Sequence, residues 1–400
     1  MLGGLLLLMS QAGSSVLTFI PVAFAVVTLT DTEIATVAIA ITTYSMCVGI
    51  GRSAFGEAVL VLAAERGAEW ADRVIAQIRT LLMTASLALA GLGLALRAID
   101  VTLETWPLVL SASLAVMSHD ARRYQLISHR RDRLVVGLDV GLVLAMVTCF
   151  GVASRVEQTL DLYLLAWVGI TVLWSADLLV QGWPPRSFAI VEVLRTGWSF
   201  ATDVFANRAA ILVVTLIARE TTGDSSLANA ESLRLTMAAV NIVFLGAGPI
   251  ALRHAGRSAE VFRPGLAISG ALIGVATAWW AVLGFTGRTF DFGGAILDAW
   301  RGDVEWAVLI WFIGAAMPFG FRYRMRAALS TTPLLRAATA EAVLGTLVVL
   351  IGAAAGWIDD ATHVFAVHFT VGALAWIVVA ALSERRPETV QAATRTGDAP

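Results

Sequence analysis

The chain predicts an all-α polytopic membrane protein, with twelve transmembrane helices arranged as two parallel six-helix repeats. Three observations carry that prediction. Of 400 residues, 58% are hydrophobic and only 14% charged, with a mean hydropathy of +0.78; soluble domains carry roughly 25% charged residues. The charges cluster between apolar runs of about 18 residues or more, each able to cross about 30 Å of hydrocarbon as a helix. A basic pattern also recurs. Ser118–Asp139 (SHDARRYQLISHRRDRLVVGLD) and Gly320–Glu341 (GFRYRMRAALSTTPLLRAATAE) each follow an apolar run, place arginines around a short polar turn, and end on an acid just inside the next run.

Taken in order, the spans are 3–29, 34–62, 74–97, 106–126, 134–153 and 160–180, then 198–218, 232–252, 262–286, 304–322, 335–356 and 361–382. The apolar start is too long, and lacks the basic residues, for a cleaved signal peptide; it reads as a retained first span. Helices follow because the runs are continuous and show no barrel-like alternation. VVTL closes span 1 at Val26–Leu29 and span 7 at Val213–Leu216, each followed by a short acidic loop. Six spans per half is even, so both halves enter the membrane in the same sense, as in repeat-built secondary transporters. The expected organisation is an N-terminal bundle over 1–180, a linker over 181–197 with Pro184-Pro185, a C-terminal bundle over 198–382 and a polar tail over 383–400.

Orientation follows from the arginines, since the chain contains no lysine. The tail and the loops after even-numbered spans hold nineteen of them, and the loops after odd-numbered spans hold five. The positive-inside rule then puts both termini in the cytoplasm of a bacterial inner membrane.

Several classes are excluded. A formal net charge of −2 gives no reason to expect a nucleic-acid partner. Cys47 and Cys149 lie in apolar runs and read as buried small side chains. There is no phosphate loop, HExxH or Cys/His cluster, so no metal, cofactor or catalytic residue is expected. His119-Asp120 as an acid–base dyad is disfavoured: adjacent helical residues point about 100° apart. The longest outer loop, Gly287–Glu305, is too short for a membrane glycosyltransferase or ligase.

Ionisable residues at membrane depth imply a cavity or a partner. Span 2 carries Arg52 and Glu57 in GIGRSAFGE; span 7 carries Asp203, Asn207 and Arg208 in FATDVFANRA. Two readings stand. Arg52 pairs with an acid such as Asp203 and pins two helices, or Arg52 and Arg208, one from each half, face a wet central space that attracts an anion. Asp203 and Glu57 are the acids suited to ion coupling. Arg79 and Arg234, near span ends, are expected to snorkel to the interface. Asp139, Asp177 and Glu341 are expected to pair with the basic segments.

The two-half plan, GIGRSAFGEAVL (49–60), DARRYQLISHRRDRLVVGLD (120–139) and GAGPIALR (246–253) together resemble the polysaccharide exporter branch of the multidrug/oligosaccharidyl-lipid/polysaccharide (MOP) flippase superfamily. The resemblance implies two six-helix bundles forming a V around a cavity, and alternating access that moves a lipid-linked glycan across the bilayer, with glycan-assembly proteins as candidate partners. It also implies that cavity arginines meet the pyrophosphate. The positions that suit this are Arg52 and Arg208, helped by Asn207 and Arg123. The alternative is a multidrug or small-molecule exporter, MATE-like or of the major facilitator type. Against the latter, the loop after span 2 lacks the flanking glycine–arginine pattern around Asp72-Arg73.

Overall fold

The structure is a computed structural model. It describes residues 16–99, 105–129, 131–156, 159–175, 189–238, 240–241, 243–244, 261–289, 305–327 and 331–384. The first span's opening, Asp177, most of the linker, the GAGPIALR stretch, the Gly287–Glu305 loop beyond residue 289 and the tail beyond residue 384 lie outside the described residues.

Among the described residues the fold is all helix. The N-terminal half contains α1 (Val16–Thr28), α2 (Asp31–Gly51), a π-helical turn (Arg52–Glu57), α3 (Ala58–Arg66), α4 (Ala68–Ala98), α5 (Thr105–Ser128), α6 (Asp132–Val156) and α7 (Leu160–Ser175). The other half contains α8 (Ala189–Thr222), α9 (Asp224–Thr236), α10 (Phe262–Thr289), α11 (Glu305–Ala327), α12 (Thr331–Ala354) and α13 (Ala361–Glu384). With α2, the π turn and α3 as one continuous span, each expected span overlaps a helix in order, α9 meeting the eighth (232–252) only over 232–236. Among the described residues, eight candidate spans meet the length and hydropathy of a membrane crossing.

Local chemistry places the breaks. A capping box opens α2: the Thr30 backbone N–H donates to Glu33 Oε2 at 3.0 Å, and the Thr30 side chain closes the pair. Glu33 also accepts the Leu160 N–H at 3.3 Å, tying the start of α2 to that of α7. Gly67 (φ 89°) and Gly223 (φ 86°) take left-handed backbone that glycine alone enters cheaply, turning α3 into α4 and α8 into α9.

Packing repeats between the halves. The α4–α5 contact is matched by α10–α11, α5–α7 by α11–α13, and α6–α7 by α12–α13. Even the VVTL threonines behave alike: Thr28 Oγ1 donates to the Phe24 carbonyl and Thr215 Oγ1 to that of Ile211. Polarity is inverted relative to a soluble protein. Leu344, Leu347, Leu350 and Ile351 stand exposed on α12, whereas Asp139, Asp203 and Glu341 are fully buried. Exposed apolar side chains and interior charges suit a lipid surround.

One long antiparallel contact, α2 against α8, joins the halves. A Cβ on Gly49 would meet Val204, and one on Gly197 would collide with the Ala54 carbonyl of the π turn. At the opposite end, Ala35 and Ala38 pack in the same cluster as Val214 and Ala218. We expect Gly197→Ala to cost about 1–3 kcal/mol, the usual penalty of overpacking, read as a lowered Tm of the detergent-solubilised protein. A substitution at Gly91, where an added Cβ meets nothing, is the control.

Candidate functional site

Two buried charge networks sit toward the arginine-rich end of the bundle, and the π turn touches both. Such turns arise where one residue too many is accommodated within a helix, and they recur at functional sites. Here glycine spacing lets large side chains close in: a Cβ on Gly51 would overlap Met117, and one on Gly56 would overlap the Tyr124 ring.

The first network belongs to the N-terminal half. Arg52 Nη2 donates to Asp120 Oδ2 at 2.6 Å. Arg123 Nη1 donates to Asp120 Oδ1 at 2.8 Å, and its Nε donates to Asp139 Oδ2 at 3.0 Å. His119 Nε2 completes it at 3.1 Å from Asp139 Oδ1. All but Arg52 are nearly solvent-free; the Arg52 side chain keeps 19% exposure.

The second network spans the halves. Arg326 Nη2 donates to Asp203 Oδ2 at 2.7 Å, while Nη1 reaches both Glu57 oxygens at 3.2 Å. Arg322 joins Asp203 (3.3 Å) to Glu341 (3.2 Å). Glu341 also accepts from Asn207 at 2.9 Å and from the Trp376 indole at 2.7 Å. Near the outer face of this network, Arg66 pairs with Glu192 at 2.8 Å, again across the halves.

Arg208 lies beyond the second network on α8. Its register puts it between Val204, level with Gly49, and Val214, packed near Ala38. Seven residues of rise at 1.5 Å separate it from the level of Arg52, about 10 Å. It makes no hydrogen bond or ion pair among the described residues. The charges acting on it are, in order, those of Arg322, Arg234 and Arg52, and then Glu341. Arg52, Arg234 and Arg322 are each paired with a carboxylate, which leaves Arg208 as the guanidinium of this group with no ion pair among the described residues.

Measured against the sequence, Arg52, Arg208, Asp203 and Glu57 do gather where spans 2 and 7 meet. Their pairings differ from those expected. Arg52 pairs with Asp120 rather than Asp203, because α5 crosses the π turn and offers the nearer carboxylate. Arg123 is bound between two acids instead of standing free. Residues 118–126, the basic end of the fourth expected span, do lie in helix, and α5 runs on to Ser128 with their charges partnered inside the fold. Arg79 does not snorkel: it is 3% exposed and its Nε donates to the Ser118 carbonyl at 3.3 Å. Arg234 pairs inward with Glu231, at 2.6 Å. Asp139 and Glu341 do pair with the basic segments. Asp120, Arg322, Arg326 and Trp376 were missed as site residues. Their signal was the repeated basic pattern, which counts equally well as a topology signal.

No protein-family model and no curated protein sequence matches the chain. Solved structures do. An inward-facing multidrug resistance MATE family transporter of the MOP superfamily aligns over 96% of each chain at TM-score 0.66 and 14% identity. An outward-facing one aligns over 98% of this chain and 95% of its own, at 0.62 and 12%. A MOP superfamily transporter from Pyrococcus furiosus, for which a binding pocket of reverse polarity suggests a different function, aligns over 98% and 94%, at 0.58 and 12%. The chain therefore has the fold of the MATE transporters of the MOP superfamily, twelve transmembrane helices in two repeats.

Proposed function

We propose that the chain is a MATE-like exporter, working by alternating access, whose cargo carries an anionic group. Its two halves, 1–180 and 198–382, rock about the α2–α8 contact, with both termini in the cytoplasm of the inner membrane. The observation that carries the cargo class is Arg208, a guanidinium at bilayer depth, without an ion pair among the described residues, in the field of three more arginines. A charge held there is costly, and an anion arriving from water relieves that cost. Arg52, the most exposed member of its network, is the second cationic group within range, and Asn207, next to Arg208 on α8 and bonded to Glu341, supplies an amide.

The second network supplies the coupling. It holds three carboxylates, Glu57, Asp203 and Glu341, against two guanidiniums, Arg322 and Arg326. One more cation completes it, and a proton on Asp203 or Glu57 loosens the Arg326 bridge between the halves. A second reading, a flippase for a lipid-linked glycan, draws on the same arginines: a diphosphate offers several anionic oxygens to clustered guanidiniums, and its lipid tail stays in the bilayer.

The test is one of polarity. Proteoliposomes holding the protein are loaded with an anionic or a cationic fluorescent dye of similar size, and efflux is followed. Selective movement of the anionic dye is expected. Efflux of the cationic dye alone would overturn the reading.

A further inference from the structure

The outward sides of α6 and α12 share a pattern that neither cargo nor coupling uses. The two helices hold corresponding places, each packed against the last helix of its half. Each turns its acid, Asp139 or Glu341, inward. Outward, α6 exposes Arg133, Val140, Leu144 and Val147, and α12 exposes Arg336, Val343, Leu347 and Leu350. The apolar positions lie 7, 11 and 14 residues after the arginine in both helices. At 3.6 residues per turn, those spacings return to one face within about 40°. Each stripe is therefore a column of aliphatic side chains headed by a guanidinium at the arginine-rich end of the bundle. One turn inside the arginines stand Gly137, where an added Cβ would meet nothing, and Ala340, with only a methyl. Little protein fills the space directly beneath either guanidinium.

The counter-charges are missing as well. At the far end of the bundle, Arg97 pairs with Asp161 at 3.0 Å and Arg219 with Asp224 at 2.7 Å. Arg133 and Arg336 are exposed and make no ion pair or side-chain hydrogen bond among the described residues. From Trp306 to Ala340 the sequence contains no acid, so its own neighbours offer Arg336 no counter-charge. A group that suits this place is itself amphiphilic. A phospholipid phosphate offers two oxygens to the planar guanidinium fork, and its acyl chain can lie along the stripe below. Charge then selects among lipids. A zwitterionic headgroup brings its own cation and an anionic one does not, and each arginine near the surface favours the anionic lipid by about fivefold.

We propose that Arg133 and Arg336 each anchor one anionic phospholipid, phosphate on the guanidinium and an acyl chain along the aliphatic stripe of α6 or α12. The two sites correspond in the repeat, so each half carries its own lipid as the halves move. They depend on the membrane surround and not on the cargo class.

The experiment uses the full chain in detergent, incubated with equal amounts of phosphatidylglycerol and phosphatidylcholine. Native mass spectrometry counts the lipids retained. Wild type should retain phosphatidylglycerol in preference. Arg133→Gln and Arg336→Gln should each weaken one bound phosphatidylglycerol about fivefold, and the double variant should lose two. Methionine replaces glutamine should either variant not fold. Arg155→Gln is the control, since Arg155 is also exposed without an ion pair among the described residues but sits at the far end; it should retain as much lipid as wild type. Inorganic phosphate in millimolar excess should leave the bound lipid in place. Equal retention of the two lipids, a double variant that keeps its phosphatidylglycerol, or an equal loss in Arg155→Gln would overturn the proposal. Displacement of the lipid by phosphate would also overturn it, by making these arginines a site for free anions.

Discussion

Replacing Arg326 by methionine is expected to destabilise the fold by about 3–5 kcal/mol, the usual cost of removing one partner from a buried ion pair. Methionine keeps most of the volume, so packing changes little and the loss reports charge. In the wild type two guanidiniums serve Glu57, Asp203 and Glu341; in the variant Arg322 alone remains, and it reaches Asp203 and Glu341. Asp203 is fully buried and cannot turn to water, whereas Glu57, with a side chain 22% exposed, can hydrate. Most of the penalty therefore falls on Asp203. The double variant Arg326→Met with Asp203→Leu should recover part of it, because replacing both charges by apolar groups of similar size is often close to neutral. Thermal unfolding in detergent, followed by tryptophan fluorescence, reads both. A single variant as stable as wild type would mean that the bridge between the halves contributes nothing to the fold.

That bridge marks the limit of what the sequence discloses. Span number and order were legible because each span is an apolar run of membrane length, and burial there needs only composition. The repeat was legible too, because Asp139 and Glu341 close the same basic pattern in each half and both end up as buried hubs. The pairings were not. Glu57 and Arg326 lie 269 residues apart and Arg52 and Asp120 lie 68 apart; which acid meets which arginine depends on how helices cross, and composition does not record that. The burial of His119, Asp120 and Arg123 was hidden for a related reason. A charged stretch at a span's end reads as solvated until its counter-charges are known, and here they come from α6 and from the π turn. The π turn itself left only the closely spaced glycines Gly49, Gly51 and Gly56 as a trace.

Arg208 separates function from stability most sharply. In a purely structural role, removing it would weaken the protein. Yet it makes no ion pair among the described residues and lies among like charges, so Arg208→Met should leave the Tm unchanged or raise it, since function and stability trade against each other at such positions. Binding should move the other way. A charge-assisted hydrogen bond contributes about 1.5–3 kcal/mol, so affinity for an anionic cargo should fall roughly 10- to 150-fold, with efflux of the anionic dye lost in proportion. Arg208→Lys keeps the charge but gives up the planar fork, and should fall between wild type and Arg208→Met. Equal loss in Lys and Met would show that fork geometry carries recognition, and no loss in either would show that the anion binds elsewhere. A drop in Tm alongside lost efflux would make Arg208 a counter-charge for Glu341, and the second network would then close on itself with three cations for three acids and no place for cargo.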